Sequence, residues 1–382
     1  MNKLGKIEKE KELDDLTNTG CKWWDDKIGE DPAFILEVVR IAALMHDVGH
    51  GPFSHIFEQA VNQTKVNPDF KHEQMSVKLL TNIEHYINPE APKTKDEEKE
   101  IIELASKVLQ KEQVKENWPK LLFLNELIDS PIDVDKLDYV NRDAYHAGPL
   151  EYGMIDYERV LDGLRVSNGK LLYSESSIGA IDRTFKALEY MYSNVYYHKT
   201  CRAVDLQVYE MLISNQTLLE EIMDNEEEYL KWSDDKLLYH IRDNGKGNSK
   251  KLADDLLARR LKYKSVAERK LPIGKLFSLA QPGLGQKQQS LEKMFKGLGA
   301  KVDHFAVSPV RLEAQKLVEW LKLEIFFTRE GKLAKLDNIS PLLSNAVQNF
   351  SVVARLYVER QKATDTEVEK AKQEFDREFP SL

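Results

Sequence analysis

Cysteine is nearly absent: only Cys21 and Cys201 occur in 382 residues. That excludes a disulfide framework and fits a reducing compartment, so a cytoplasmic protein is expected. No apolar run approaches the ~20 residues of a membrane span. The opening Met1-Asn2-Lys3-Leu4-Gly5-Lys6 also lacks the apolar core of a signal peptide. Basic residues are in deficit, 55 Lys and Arg against 64 Asp and Glu. The resulting charge of −9 argues against nucleic-acid binding, and an anionic substrate would need a local group of Lys and Arg. No internal repeat is visible. What remains is an ordinary globular composition, 42% hydrophobic and 31% charged, at a length that suggests two or three domains or one large helical core with an appendage.

Histidine is scarce too, nine in all, yet three fall between residues 46 and 55. The stretch runs Met45-His46-Asp47-Val48-Gly49-His50-Gly51-Pro52-Phe53-Ser54-His55. Before it, Ile35, Val38, Val39 and Ala42 form an apolar stripe at helical spacing, with Asp31 as a cap and Pro32 in the first turn. His46 therefore sits close to the buried stripe, and Gly49, Gly51 and Pro52 break the helix just after it. An imidazole and a carboxylate delivered to such a corner, His46 and Asp47, are good ligands for a metal. His50 and His55 stand nearby to handle protons. A lone inward histidine is usually a hydrogen-bonded core residue; the clustering favours a site.

Further on, Pro68-Asp69-Phe70-Lys71-His72-Glu73-Gln74 opens a helix whose inner face holds His72, Met75 and Leu79. The string Ile132-Asp133-Val134-Asp135-Lys136-Leu137-Asp138-Tyr139-Val140-Asn141-Arg142-Asp143, taken as a helix, aligns Asp135, Tyr139 and Asp143 at i, i+4 and i+8. Such a stripe is commonly just a solvated face, but Leu137 and Val140 mark a packed side. Tyr196-Tyr197-His198-Lys199 lies within a long helical stretch from Ile178 to Leu212, which reads as one helix or two.

The His46–His55 string resembles the HD-domain metal-dependent phosphohydrolases, and within them the deoxynucleoside triphosphate triphosphohydrolase branch. The segment around His72, the block from Ile132 to Asp143 and the Tyr196–Lys199 string are similar to that branch as well. The resemblance covers roughly residues 33–210. It implies a mainly α fold with an HD-domain helical core, and the order of elements divides the chain near 265 into that core over residues 1–265 and a smaller α+β appendage over 266–382. It implies a divalent cation (Mn, Mg, Fe, Ni, Co or Zn) on His46, Asp47 and Asp135, and catalytic work by His55, His72 and Glu73. Contacts to a nucleotide would come from His50, Lys136, Tyr139, Asp143, Tyr196, His198 and Lys199. The substrate expected is a dNTP such as dGTP, cleaved to deoxynucleoside and triphosphate by a homo-oligomer. The alternatives are a catalytically impaired nucleotide-binding regulator and a phosphohydrolase acting on another phosphoester. One departure stands out. The family takes a further ligand histidine from an upstream helix, and no histidine precedes His46. The expectation is a start placed inside a longer reading frame, or a truncation, with weak metal binding and slow turnover.

For the rest, Phe53–Val61 reads as a helix, and 86–119 as a solvated excursion with one helix near Ile101–Leu109. A hairpin turning at Ser167-Asn168-Gly169-Lys170 is expected, as are helices after Ser233 and across Leu252–Leu261. The segment 281–289 reads as a loop, 301–307 and 324–328 as strands, 342–359 as a helix and 367–378 as a charged helix.

Overall fold

The structure is a computed structural model and describes residues 32–86, 96–167, 169–272, 282–307, 324–327, 332–335 and 351–379. Its helices of seven residues or more are, in chain order, α1 (Pro32–Met45), α2 (His55–Thr64), α3 (His72–Thr81), α4 (Asp96–Val108), α5 (Lys111–Asn117) and α6 (Val134–Ala147). A hairpin of β1 (Leu164–Ser167) and β2 (Lys170–Ser174) follows, then α7 (Ile178–Met191), a π-helical turn over Tyr192–Tyr196, and α8 (Lys199–Ile213). The remainder comprises α9 (Gln216–Ile222), α10 (Asp234–Asn244), α11 (Gly247–Leu257), β3 (Tyr263–Pro272), α12 (Pro282–Met294), β4 (Lys301–Val307), β5 (Glu324–Phe327), β6 (Lys332–Lys335), β7 (Ser351–Glu359) and α13 (Asp365–Glu378). The fold is mainly α with two small sheets. Among the described residues no helix is long and apolar enough to cross a membrane.

Two compact units are present, each assembled from separated segments. The boundary expected near 265 falls inside the second unit, at the start of β3. The first unit takes residues up to His50, the segment 71–187 and the strands β5 and β6. Its core is built on α1, whose Phe34, Val38 and Ala42 are buried at successive turns, while Ile35 and Val39 are only partly covered. All four residues of the expected stripe thus face this core, and Phe34 joins them. Helix α4, where a helix near Ile101–Leu109 is expected, lays Ala105 and Val108 against that core. The hairpin forms as the Asn168-Gly169 signal predicts, with Ser167 opposite Lys170 and Gly169 at φ +74°. The order β1-β2-β5-β6 completes its sheet.

The second unit holds 51–70, 188–272, 282–307 and 351–379 among its described residues. Helix α8 is its axis, packed by α2, α11 and β3. The sheet is antiparallel, β3-β7-β4, with a register shift in β3 between Ser265 and Ala267. Two expectations are corrected here. Residues 282–289, expected as loop, open α12, with Pro282 at its first position, where a missing N–H costs nothing. Residues 351–359, expected as helix, form the central strand β7, and 342–350 lie outside the described residues. A strand covered on both faces reads as a continuous apolar run, which periodicity alone does not separate from a buried helix.

Candidate metal and catalytic site

Helix α1 ends at Met45, and the chain turns at once, with Val48 N donating to the Met45 carbonyl and His50 N to that of Asp47. Gly49 makes the turn possible. A Cβ there would lie 2.2 Å from the His72 carbonyl oxygen and 2.3 Å from Ser76 N. Its N–H donates to Ser76 Oγ at 2.8 Å, which lays the corner on the first turn of α3. That close approach stacks the His50 and His72 rings with centroids 3.7 Å apart.

Asp47 is the hub of the first unit's polar groups. Its carboxylate lies 3.3 Å from His46 Nε2, 3.6 Å from His50 Nε2 and 3.9 Å from His72 Nε2. Asp135 comes in from α6, with Oδ1 3.8 Å from His46 Nε2. His46 Nδ1 sits 2.8 Å from the Ala43 carbonyl, so the hydrogen on Nδ1 is engaged and Nε2 faces the two carboxylates. His72 Nδ1 faces Glu73 Oε2 at 3.4 Å. Asp135 and Asp47 together push the His46 imidazolium up to about 10, against burial, which works the other way. Burial works to raise the Asp47 carboxyl, but the bond to His46 and the charges of His46, His50 and His72 leave it below the usual range.

Asp133 and Asp135 start the same helix with opposite fates. Asp133 Oδ1 accepts from Lys136 N at 2.7 Å as the N-cap, and Oδ2 accepts from Ser130 N at 3.2 Å. The Lys136 ammonium bonds to Asp133 and to the Ser130 carbonyl, the latter at 3.0 Å. Only 1% of the Asp133 side chain is exposed, against 34% for Asp135, so one holds the helix start and the other is presented. Tyr139 and Asp143 follow Asp135 on a half-buried face, opposite the buried Leu137, Val140 and Ala144.

His55, Tyr196, His198 and Lys199 belong to the second unit. His55 opens α2 after Phe53 and Ser54, both at positive φ (62° and 52°), a strain of roughly 1–3 kcal/mol each for a non-glycine residue. Phe53 N, held by Asp234 Oδ1 at 2.8 Å, pins that kink. Tyr196 ends the π-helical turn half-buried, while His198 and Lys199 are exposed at the start of α8. His198 Nδ1 accepts from Thr200 N at 3.3 Å and caps the helix.

Sequence reasoning named no role for Asp133, Ser76 or the Ala43 carbonyl. Asp133 carried a usable signal, an Asp three positions before Lys136 at a helix start. Ser76 carried another, four positions after His72 on one helix face.

A family model described as the HD associated region matches residues 155–375, more than half of the chain, and one described as the HD domain matches 22–143. The chain belongs to the HD-domain family. The HD match contains every residue of the corner and ends at Asp143, the last of the α6 face. Among curated relatives, the uncharacterized protein YwfO of Bacillus subtilis is 29% identical over 221 residues, 57% of this chain and 45% of that one. The deoxynucleoside triphosphate triphosphohydrolase SAMHD1 homolog of Dictyostelium discoideum is 28% identical over 204 residues, 52% of this chain and 38% of that one. The matched part thus spans less than half the length of either relative. A phosphohydrolase from Bacteroides thetaiotaomicron has the same HD-type fold at a TM-score of 0.62 and 20% identity, over 91% of this chain and 83% of that one.

Proposed function

We propose that the protein is a metal-dependent phosphohydrolase acting on deoxynucleoside triphosphates, releasing deoxynucleoside and triphosphate. The carrying observation is the Asp47 carboxylate, met within 3.3–3.9 Å by Nε2 of His46, His50 and His72. A rigid core has no need of three imidazoles facing one carboxylate. The donor set fits a divalent cation. Bonds of ~2.0–2.2 Å place neighbouring donors about 3 Å apart, close to the 3.3 and 3.8 Å that His46 Nε2 keeps from Asp47 and Asp135. His46, Asp47 and Asp135 would hold the ion, and a bound cation supplies positive charge to a phosphate oxygen and lowers the pKa of water.

The protein's own groups divide the remaining work. The Ala43 carbonyl orients His46, so that its Nε2 rather than Nδ1 is the donor atom. Glu73 beside His72 Nδ1 orients that ring and leaves Nε2 to hold or pass a proton on the Asp47 side. His50, stacked on His72, presents a second imidazole to the same carboxylate and to an incoming phosphate. The link to Asp133 fixes the Lys136 ammonium one residue from Asp135. Tyr139, Asp143, Tyr196, His198 and Lys199 are proposed as sugar, base and phosphate contacts, with His55 as a further proton-handling group. The dNTP substrate is supported by the relatives named for that activity. A homo-oligomer is proposed as well.

The test incubates the protein with each of four dNTPs, with Mn²⁺ or with chelator, and separates deoxynucleoside, triphosphate, monophosphate and pyrophosphate. Metal-dependent release of deoxynucleoside and triphosphate supports the proposal. Release of pyrophosphate, or turnover only of other phosphoesters, would overturn the substrate assignment. Native mass measurement tests the oligomer.

A further inference from the structure

Strand β7 has two faces that differ in kind. Ala354, Leu356 and Val358 pack into an apolar core with Leu291, Leu298, Val368, Ala371 and Phe375. On the other face, by the period of two, stand Val353, Arg355 and Tyr357, all buried. A guanidinium removed from water is costly unless it is paired, and an apolar residue of similar volume is often as stable. The partners of this face therefore say what it is for.

They converge on one short stretch of chain. Arg355 donates to the Tyr197 carbonyl and to Glu268, its register partner on β3. Tyr357 donates its hydroxyl to the Lys199 carbonyl at 3.2 Å. Val353 packs on Tyr197, and Tyr357 packs with Tyr263 on Ala203 and Leu206. Asp303, the register partner of Arg355 on β4, accepts from Nη2 and Nε of Arg202 at 2.8 and 2.9 Å. Residues 197, 199, 202 and 203 are thus each gripped by the sheet, two of them by their backbone carbonyls. The stretch runs from just after a π-helical turn into the start of α8, and π-helical irregularities are frequently functional. Its outward side carries the exposed His198 and Lys199.

We propose that this sheet positions the nucleotide-contacting stretch Tyr196–Lys199, with Arg355 and Tyr357 as positioning residues for the triphosphate end of the substrate. The inference rests on the function proposed above. The sheet holds the backbone of residues 197 and 199 so that the side chains of 198 and 199 are delivered to substrate without an ordering cost at binding.

Two variants test it. Tyr357→Phe loses one oxygen and keeps its ring in the core; Arg355→Lys keeps the charge and loses the fork. For each, KM and kcat for dNTP hydrolysis are measured, together with metal content and amide hydrogen exchange of peptides covering 197–206 without nucleotide. The expected result is faster exchange in that segment, a KM raised roughly 3- to 10-fold, kcat within about twofold, and unchanged exchange in α1 and α3. Faster exchange with an unchanged KM would overturn the positioning role, and unchanged exchange would overturn the grip itself. If the unmodified protein hydrolyses no dNTP, the proposed function falls and the nucleotide part of this inference with it, while the exchange data still decide the grip.

Discussion

The corner at His46–His50 and the turn at Tyr197–Lys199 are both built from a few polar residues at a helix end, yet they are held in different ways. The corner is held locally: the Ala43 carbonyl orients His46 from three residues away, and Gly49 rests on α3 through Ser76, 27 residues on. The turn is held from far along the chain, by Arg355 and Tyr357, each 158 residues beyond its partner, and by Asp303, 101 beyond Arg202. A site made by its own motif tolerates change elsewhere; one made by a distant sheet inherits every fault of that sheet. The far end of α8 shows the same dependence, since Glu210 accepts from the Lys262 ammonium and from the Tyr263 hydroxyl of β3.

The largest effect should come from the corner's own donors. His46→Ala or Asp47→Ala is expected to lower turnover by more than the ~10–100-fold typical of outer-shell changes around a metal, read as triphosphate release. Equal turnover in either variant would break the contrast, because the corner would then not be the reacting centre.

Gly49→Ala should come next, acting on stability first. A methyl placed 2.2 Å from a backbone carbonyl forces the corner off α3. A loss of about 3 kcal/mol, at the upper end for overpacking, lowers Tm by roughly 4 °C when 382 residues unfold together. Thermal melting checks it, and an unchanged Tm would show that the corner does not need its seat on α3.

Acidity sharpens the account of His46. Without metal its imidazolium is held up to about 10, so at pH 8 a cation must displace a proton from it. Titration calorimetry in buffers of different ionisation enthalpy should show about one proton released per metal, and affinity should rise roughly tenfold per unit between pH 7 and 9. The stability linkage has the opposite sense. A folded-state pKa above the unfolded one stabilises the metal-free protein fully below pH 6.5, and that stability is lost as pH climbs toward 10. The smallest effect belongs to the exposed pair Arg142–Asp138, where Asp138→Asn should change stability by less than about 1 kcal/mol.

What the sequence reveals follows the same division. The corner, the hairpin turn and the α6 face are legible because their signals are local: contiguous donors, Asn-Gly, and an i, i+4, i+8 stripe. The grip on Tyr197 and Lys199 is not, since nothing near Arg355 marks its partner 158 residues upstream. Strand β7 is obscured by burial on both faces, and α12 by the glycines and glutamines that suggest a loop while Leu291 anchors the helix in the core. At the start of α6 the sequence already sets Asp135 on the face of Tyr139 and Asp143. The structure adds that Asp133, three positions before Lys136, is the buried cap while Asp135 is presented.

That pair offers the most direct test of the central claim, that His46, Asp47 and Asp135 together hold a divalent cation. Mn²⁺ binding to the unmodified protein, Asp135→Asn and Asp133→Asn is measured by equilibrium dialysis, with thermal melting alongside. The account predicts saturable binding that Asp135→Asn abolishes, and that Asp133→Asn retains while melting earlier. Undiminished Mn²⁺ binding by Asp135→Asn would contradict it.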